Sequence, residues 1–152
     1  MSGLTDSERL DRLESRHEIG DLVAGYCEGV DRKDLDKFVG LWHPDAVYLI
    51  GAGRGDFHGL QEIRRFPEVA ARAWVQTHHW TTNHVITFID ADSASGRSDC
   101  IAICEHHGGG ASVISATYLD SYTRRGGGWK FSRRQVIRWF VSSELDIKLL
   151  PP

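Results

Sequence analysis

A change in the pattern of apolar residues near Thr77, from helix-like to strand-like, constrains the fold more than any other feature of the chain. Before this position, apolar residues recur every three or four positions, as in helices buried on one side. After it, β-branched and aromatic runs alternate with short turns, and strands are predicted near 78–89, 97–106, 111–124 and 129–141. Consecutive long strands joined by short turns form an antiparallel meander that bends. We therefore predict an α+β fold, with N-terminal helices packed in a strongly curved, mainly antiparallel sheet around an internal pocket.

The first half of the chain carries helix signals. Thr5 and Glu8 have the spacing of a capping box, and the apolar stripe after them predicts a helix to about Val30. A second amphipathic helix is predicted up to Trp42 and ends at His43-Pro44-Asp45, because proline disfavours helix in the residue before it. The remaining segments are predicted as a strand over 46–50, a glycine-rich hairpin or loop over 51–59, and a helix over 60–74 that Pro67 kinks or interrupts.

Length and charge limit the classes of protein to which the chain can belong. Its 152 residues suffice for one well-buried core but not for two ordinary domains, so we predict one domain over 1–152. A net charge of −3 argues against sequence-independent binding to nucleic acid. No apolar run reaches the ~20 residues of a membrane-spanning helix, and the N-terminus lacks a signal-peptide core. Cys100 and Cys104 are predicted to be buried thiols, and the cytoplasm is the expected compartment.

Asp31 and His79 are the first candidates for chemistry. Asp31 directly follows the first helix, where it could also be a turn residue or the N-cap of the next helix. His79 begins the first long strand, and a neutral imidazole suits proton abstraction near neutral pH. If a carboxylate holds one ring N–H, the other nitrogen becomes a fixed acceptor. Strand alternation predicts that His78 and His84 share one face while His79 points to the other. A metal site is an alternative interpretation of these three histidines, although no carboxylate or thiol lies at a spacing typical of a further metal ligand.

Two tyrosines and an arginine complete the candidate set. Tyr26 lies on the helix face turned toward the sheet, and Tyr48 lies in the short strand. A phenol in an apolar cavity can polarise a carbonyl or protonate a leaving hydroxyl, but both could be core aromatics. Arg138 stands among apolar residues of the last strand. It either faces inward and stabilises an enolate or carboxylate, or faces outward with its stem over the sheet.

Several motifs, in this order, resemble the SnoaL-like branch of the nuclear transport factor two superfamily. They are Ile19-Gly20-Asp21-Leu22, Gly29-Val30-Asp31, Leu41-Trp42-His43-Pro44-Asp45-Ala46-Val47-Tyr48, His79 with Asn83, and Gly128-Trp129-Lys130-Phe131-Ser132. The resemblance runs roughly from Leu10 to Phe140. It implies a cone in which N-terminal helices are wrapped by a curved sheet around a deep pocket.

Within this superfamily the chain is similar to bile-acid 7α-dehydratase, scytalone dehydratase and hexachlorocyclohexane dehydrochlorinase. These share an Asp–His dyad, and Asp31 and His79 fall at its positions. The bile-acid dehydratase pattern also matches Tyr26, Tyr48 and Arg138. The dehydrochlorinase pattern has lysine in place of Tyr26, and its arginine aligns better with Arg134. Scytalone dehydratase has a second histidine where this chain has Cys100.

The resemblance implies a dehydratase-like lyase that needs no cofactor. His79 would abstract a proton, Asp31 would orient it, and water or another group would leave a small hydrophobic cyclic substrate. An isomerase or cyclase in the same pocket, and a non-catalytic binding or subunit-assembly module, stay open as alternatives. The resemblance also implies a homo-oligomer, either a trimer or a dimer. The apolar ending over 147–152 is predicted to close the pocket or to pack on a neighbour.

Overall fold

The computed structural model describes residues 3–51 and 55–150. The helices in these ranges are α1 (Asp6–Asp31), α2 (Leu35–Gly40), α3 (Leu60–Ile63) and α4 (Phe66–Ala73). The strands are β1 (Trp42–Leu49), β2 (Asp56–His58), β3 (Trp74–Phe88), β4 (Ser93–His106), β5 (Ala111–Arg125) and β6 (Gly128–Val141). They form one sheet in the order β2-β1-β6-β5-β4-β3. The predicted α+β fold is confirmed: β3 to β6 form the antiparallel meander, and β1 joins it parallel to β6.

Helix α1 begins at the predicted capping box. The Thr5 side chain accepts a hydrogen bond from the Glu8 backbone, and the Glu8 carboxylate accepts one from the Thr5 backbone. One face of the helix is buried, and it contacts both β3 and β6. This placement carries Tyr26 into the core and puts the end of the helix, Asp31, beside the start of β3.

The predicted second helix is too long at its C-terminal end. Helix α2 ends at Gly40, and β1 already begins at Trp42, so the expected helix end at His43-Pro44-Asp45 is wrong. Trp42 is fully buried, pairs with Phe131 of β6, and packs against its ring with the centroids 4.9 Å apart. This burial stabilises the extended conformation. Pro44 lies in the register break between Trp42 and Val47, where a missing backbone N–H is tolerated.

The segment predicted as one helix over 60–74 forms two. Helix α3 ends at Ile63, and Pro67 lies in the first turn of α4, where its lack of an N–H costs no helical hydrogen bond. Strand β3 then begins at Trp74, earlier than predicted. The glycine-rich segment forms a hairpin in which β2 pairs with β1, although part of the predicted loop, 52–54, lies outside the described residues.

A β-bulge in β3 changes which side chains face the core. Asn83 has a φ of 53°, and the pairing with β4 shifts between Thr82 and Val85. The extra residue reverses the alternation beyond it. His84 therefore contacts the buried Tyr122, while His78 stacks on the exposed Trp80. The prediction that His78 and His84 share one face is wrong for this reason.

The core is unusually rich in aromatic side chains on the helix-facing side of the sheet. Its largest fully buried members include Tyr26, Phe38, Trp42, Tyr48, Tyr122 and Phe131. The predicted burial of Cys100 and Cys104 is confirmed, and both thiols are free. Within 3–51 and 55–150, no helix is both long and apolar enough to cross a membrane.

Candidate active site

Asp31 and His79 form a close hydrogen-bonded pair between the end of α1 and the start of β3. His79 Nδ1 lies 2.6 Å from Asp31 Oδ1. The backbone N–H of His79 donates to Oδ2 of the same carboxylate at 2.7 Å. A carboxylate only accepts, so Nδ1 carries the ring proton and Nε2 is left as an acceptor. Among the described residues, no hydrogen bond is made by Nε2.

The local structure holds Asp31 for this contact. Asp34, and not Asp31, is the N-cap of α2, with its carboxylate accepting from the Lys37 backbone. Gln76 donates to the backbone carbonyl of Asp31 at 2.7 Å, and the Thr77 hydroxyl donates to Oδ1 at 2.8 Å. The Asp31 carboxylate therefore bonds to residues of β3. The alternative role of Asp31 as the N-cap of the next helix is excluded.

The electrostatics of the pair favour an ionised carboxylate. Burial alone would raise the pKa of Asp31, but the hydrogen bonds and charge of His79, together with the Thr77 hydroxyl, lower that pKa below its ordinary value. The side chains of Asp31 and His79 are only 13% and 11% exposed. Their attraction is therefore screened less than that of a surface ion pair.

An inner cavity of about 360 Å³ lies beside His79, on the concave side of the sheet. Its volume is within the range of small-molecule sites. Small side chains of β4 and β5, Ala102 and Ala116, leave the space open, and Phe66 and Val69 cover it from α4. Mostly apolar walls with a few polar groups suit a small hydrophobic ligand.

Tyr26 and Tyr48 meet at the wall of this cavity. Their hydroxyl oxygens lie 2.5 Å apart, so one phenol donates to the other and the second proton remains available for a ligand. Burial raises the pKa of both phenols. Both therefore stay protonated near neutral pH. The Tyr26 ring also meets the His79 ring edge to face, with the centroids 6.4 Å apart.

Arg138 also lines the cavity, on the inward and not the outward side of β6. It is paired with Ala116 across the sheet. The structure thus brings Tyr26, Tyr48, His79 and Arg138 to one cavity, and Asp31 joins them through its bond to His79.

Arg134, the arginine that aligns with the dehydrochlorinase pattern, is a buried cation beside this site. It is fully buried and forms two hydrogen bonds of 2.8 Å with Asp120. Its guanidinium carbon lies 4.3 Å from the centroid of the Tyr26 ring and 4.2 Å from that of Tyr118. Two consecutive arginines, Arg133 and Arg134, in an apolar strand were the available signal, because alternation turns one of them inward.

A second, outer cleft of about 600 Å³ lies on the other side of the dyad. Thr77 and His79 line both spaces, whereas Asp31 lines only the outer cleft. Leu149 and Leu150, in the described part of the tail, also line the outer cleft. The Leu149 backbone is held by Glu105 at 3.1 Å. The end of the predicted tail, 151–152, lies outside the described residues.

The metal alternative finds no support in the described ranges. Within 3–51 and 55–150, no group of three or more histidine, cysteine, aspartate or glutamate side chains is placed to hold a metal ion. The bulge at Asn83 places His78 and His84 on opposite faces of β3, although the two residues are close in the sequence. His84 bonds to Tyr122, His78 is exposed, and His79 bonds to Asp31.

Comparison with known proteins identifies the family. Residues 11–135 match the SnoaL-like domain. The chain belongs to the SnoaL-like family. It is 32% identical over 147 residues to γ-hexachlorocyclohexane dehydrochlorinase of Sphingobium indicum, covering 94% of this chain and 92% of that protein. The resemblance inferred from sequence motifs is confirmed.

Solved structures agree with this assignment. The crystal structure of LinA superposes with a TM-score of 0.88 at 29% identity and covers 95% of this chain and 99% of that one. A scytalone dehydratase-like protein from Novosphingobium aromaticivorans has a TM-score of 0.80 at 19% identity, with 93% of each chain covered, and supports the fold alone. The similarity to dehydrochlorinases supports the predicted lyase class.

Proposed function

We propose that this protein is a cofactor-independent lyase that eliminates water, or another leaving group, from a small hydrophobic cyclic substrate. The observation that carries the proposal is the 2.6 Å contact between His79 Nδ1 and Asp31 Oδ1, with His79 as a residue that lines the inner cavity. Such an arrangement fixes the tautomer of a general base and aims its acceptor nitrogen at a ligand.

In the proposed reaction His79 Nε2 takes a proton from a substrate carbon. The electrons of that C–H bond form the new C=C bond, and the leaving group departs from the neighbouring carbon with its own bonding pair. The Asp31 carboxylate stabilises the imidazolium that forms. Where a hydroxyl leaves, it takes a proton either from the imidazolium, which regenerates the base directly, or from the tyrosine pair, which the imidazolium then reprotonates. In both cases water departs and His79 returns to its neutral form.

The tyrosine pair and Arg138 are proposed to act on oxygen. A protonated phenol at the end of the Tyr26–Tyr48 contact can donate to a substrate carbonyl or to a departing hydroxyl. Arg138 at the cavity wall can stabilise negative charge that develops on a carbonyl oxygen. A halide needs no proton to leave, so this set of donors favours oxygenated substrates over fully halogenated ones.

An isomerase or cyclase in the same cavity would return the proton to the substrate instead of expelling a group. The mass of the product distinguishes the two, because elimination of water lowers it and isomerisation leaves it unchanged. A non-catalytic binding or assembly module would bind ligands in the cavity without turnover, or would co-purify with a larger partner protein.

The proposal is tested by screening hydroxylated cyclic ketones for dehydration, followed by variants of the dyad. His79→Ala and Asp31→Asn should each lower kcat by roughly 10²–10⁴-fold. His17→Ala and Asp21→Asn, which change exposed side chains on α1, serve as matched controls and should retain activity. Full turnover by either dyad variant would rule out the proposed mechanism.

A further inference from the structure

We infer that Thr77 is a positioning residue that orients the Asp31 carboxylate and limits its basicity toward His79. This inference rests on the proposed function, because it assigns Thr77 a part in the same dyad. Thr77 acts through Asp31 and does not itself exchange a proton with the substrate.

The hydrogen bonds around Asp31 show how the carboxylate is held. Oδ1 receives both the His79 ring N–H at 2.6 Å and the Thr77 hydroxyl at 2.8 Å, while Oδ2 receives the His79 backbone N–H at 2.7 Å. Thr77 and His79 are two residues apart on β3, so both side chains leave the same face of the strand. Three donors from one strand segment thus fix the plane of the carboxylate.

Sharing of Oδ1 has an electronic consequence. A hydroxyl that donates to a carboxylate oxygen stabilises the ionised form and reduces the negative charge available to a second donor on that oxygen. The imidazolium of His79 is then stabilised less than it would be by an unshared carboxylate. The Thr77 hydroxyl therefore favours the neutral form of the His79 ring, which is the form that can accept a proton from the substrate.

Other titratable and charged groups near Asp31 do not replace the effect of the Thr77 hydroxyl on the carboxylate. The thiols near the carboxylate are buried, and burial raises the pKa of Cys27 and Cys104 to about 12 and also raises that of Cys100. They remain neutral in an ordinary assay range. Charged and titratable groups around the outer cleft are Glu28 on α1, Arg32 at the C-cap of α1, and His78 on β3. Glu28 is itself paired with Lys37 and Arg32. On the cavity side the ionisable groups are Tyr26, Tyr48, Tyr118 and Arg138, with Arg134 beneath Tyr26.

Thr77→Val tests the inference because it keeps the branched shape and removes the hydroxyl. The acid limb of the kcat/KM profile should move up, by at most about one pH unit, since that is the shift to which a hydrogen bond on the charged carboxylate itself corresponds. Thr77→Ser retains the hydroxyl and should restore the wild-type profile. Thr82→Val, an exposed change on the same strand, is the matched control and should leave the profile unmoved.

A measurement that needs no substrate separates this inference from the proposed function. The ring protons of His79 are titrated by NMR in the wild type, Thr77→Val and Thr77→Ser, with His79→Ala used to assign the signals. An upward movement of the titration midpoint in Thr77→Val, reversed in Thr77→Ser, supports the role of Thr77 even if no elimination is found. An unchanged midpoint in Thr77→Val overturns it, even if His79→Ala abolishes turnover.

Discussion

Arg134 and Asp120 form a fully buried, two-point ion pair in the middle of the sheet, with both hydrogen bonds 2.8 Å long. Aromatic rings of Tyr26, Tyr118 and Phe131 surround the guanidinium, each with its centroid 4.2–4.3 Å away. The charge of Asp120 and its hydrogen bonds outweigh desolvation and raise the pKa of Arg134 well above its ordinary value. A permanent cation therefore lies directly beneath the tyrosines of the cavity.

Removing one partner of this pair should destabilise the fold strongly. Asp120→Asn leaves a buried guanidinium without its counter-charge, and the loss should be ~3–5 kcal/mol in the free energy of unfolding. Urea denaturation followed by circular dichroism measures it. Asp45→Asn is the control, because it breaks the exposed pair of Asp45 with Arg125 and should change stability little. Equal effects of the two variants would contradict the importance of the buried pair.

The tyrosine pair should behave as one unit in catalysis. Tyr26→Phe and Tyr48→Phe each remove one hydroxyl of the 2.5 Å contact, and each should lower kcat by roughly 10–100-fold with a smaller change in KM. The double variant should lose little more than either single variant, since residues that act together are not additive. Multiplicative losses in the double variant would show that the two hydroxyls act independently.

Stability should depend on Asp31 in a defined pH range. Its folded-state pKa is lowered, so the ionised carboxylate contributes stability above its ordinary pKa of 3.8, and this contribution is lost as pH falls below that value through the folded pKa. The difference in unfolding free energy between the wild type and Asp31→Asn should therefore shrink as pH falls below about 4. Urea midpoints measured between neutral pH and acid test this; a constant difference would argue against the hydrogen-bonded carboxylate.

Filling the cavity should block substrate binding without disturbing the dyad. Ala102 lies opposite His79 in the sheet and lines the cavity, so Ala102→Leu places three extra carbon atoms in the ligand space. The KM of an identified substrate should rise by at least roughly tenfold. Ile101→Leu, the outward-facing neighbour on β4, conserves volume and should leave KM unchanged. An unaffected KM in Ala102→Leu would place the substrate elsewhere.

The outer face of the sheet is predicted to form the contact between copies of the chain. Trp139 and Phe140 are 72% and 51% exposed, as suits such a contact, and Ile101 on β4 is also exposed. If the protein is a dimer or trimer through this face, Trp139→Ser with Phe140→Ser should shift it toward monomer in sedimentation velocity. Ile89→Ser, an equally exposed position beyond β3, should leave the assembly intact. An unchanged mass in the first variant would exclude this face.

Features with a local physical origin were predictable from the sequence. The capping box and the apolar period of α1 depend on neighbouring residues, and the four long strands follow from β-branched runs and their turns. The sequence also pointed to Asp31 and His79, because the motifs around them resemble a known family. Their placement in one pair, across 48 residues of chain, followed only from the expected fold.

Tertiary structure decided the features that depend on long-range pairing. The local sequence favours helix at Trp42, but this residue lies in a strand because it pairs with Phe131 and packs against its ring in the core. His84 turned inward because a bulge at Asn83 reversed the alternation, and no local pattern marks that bulge. The hydrogen bond from the Thr77 hydroxyl to Asp31 and the one from Arg134 to Asp120 were also not predictable from local sequence. Each joins distant parts of the chain, so it depends on strand register that the sequence alone does not specify. Sequence thus determined the elements and the candidate chemistry, whereas packing decided which polar groups share one buried site.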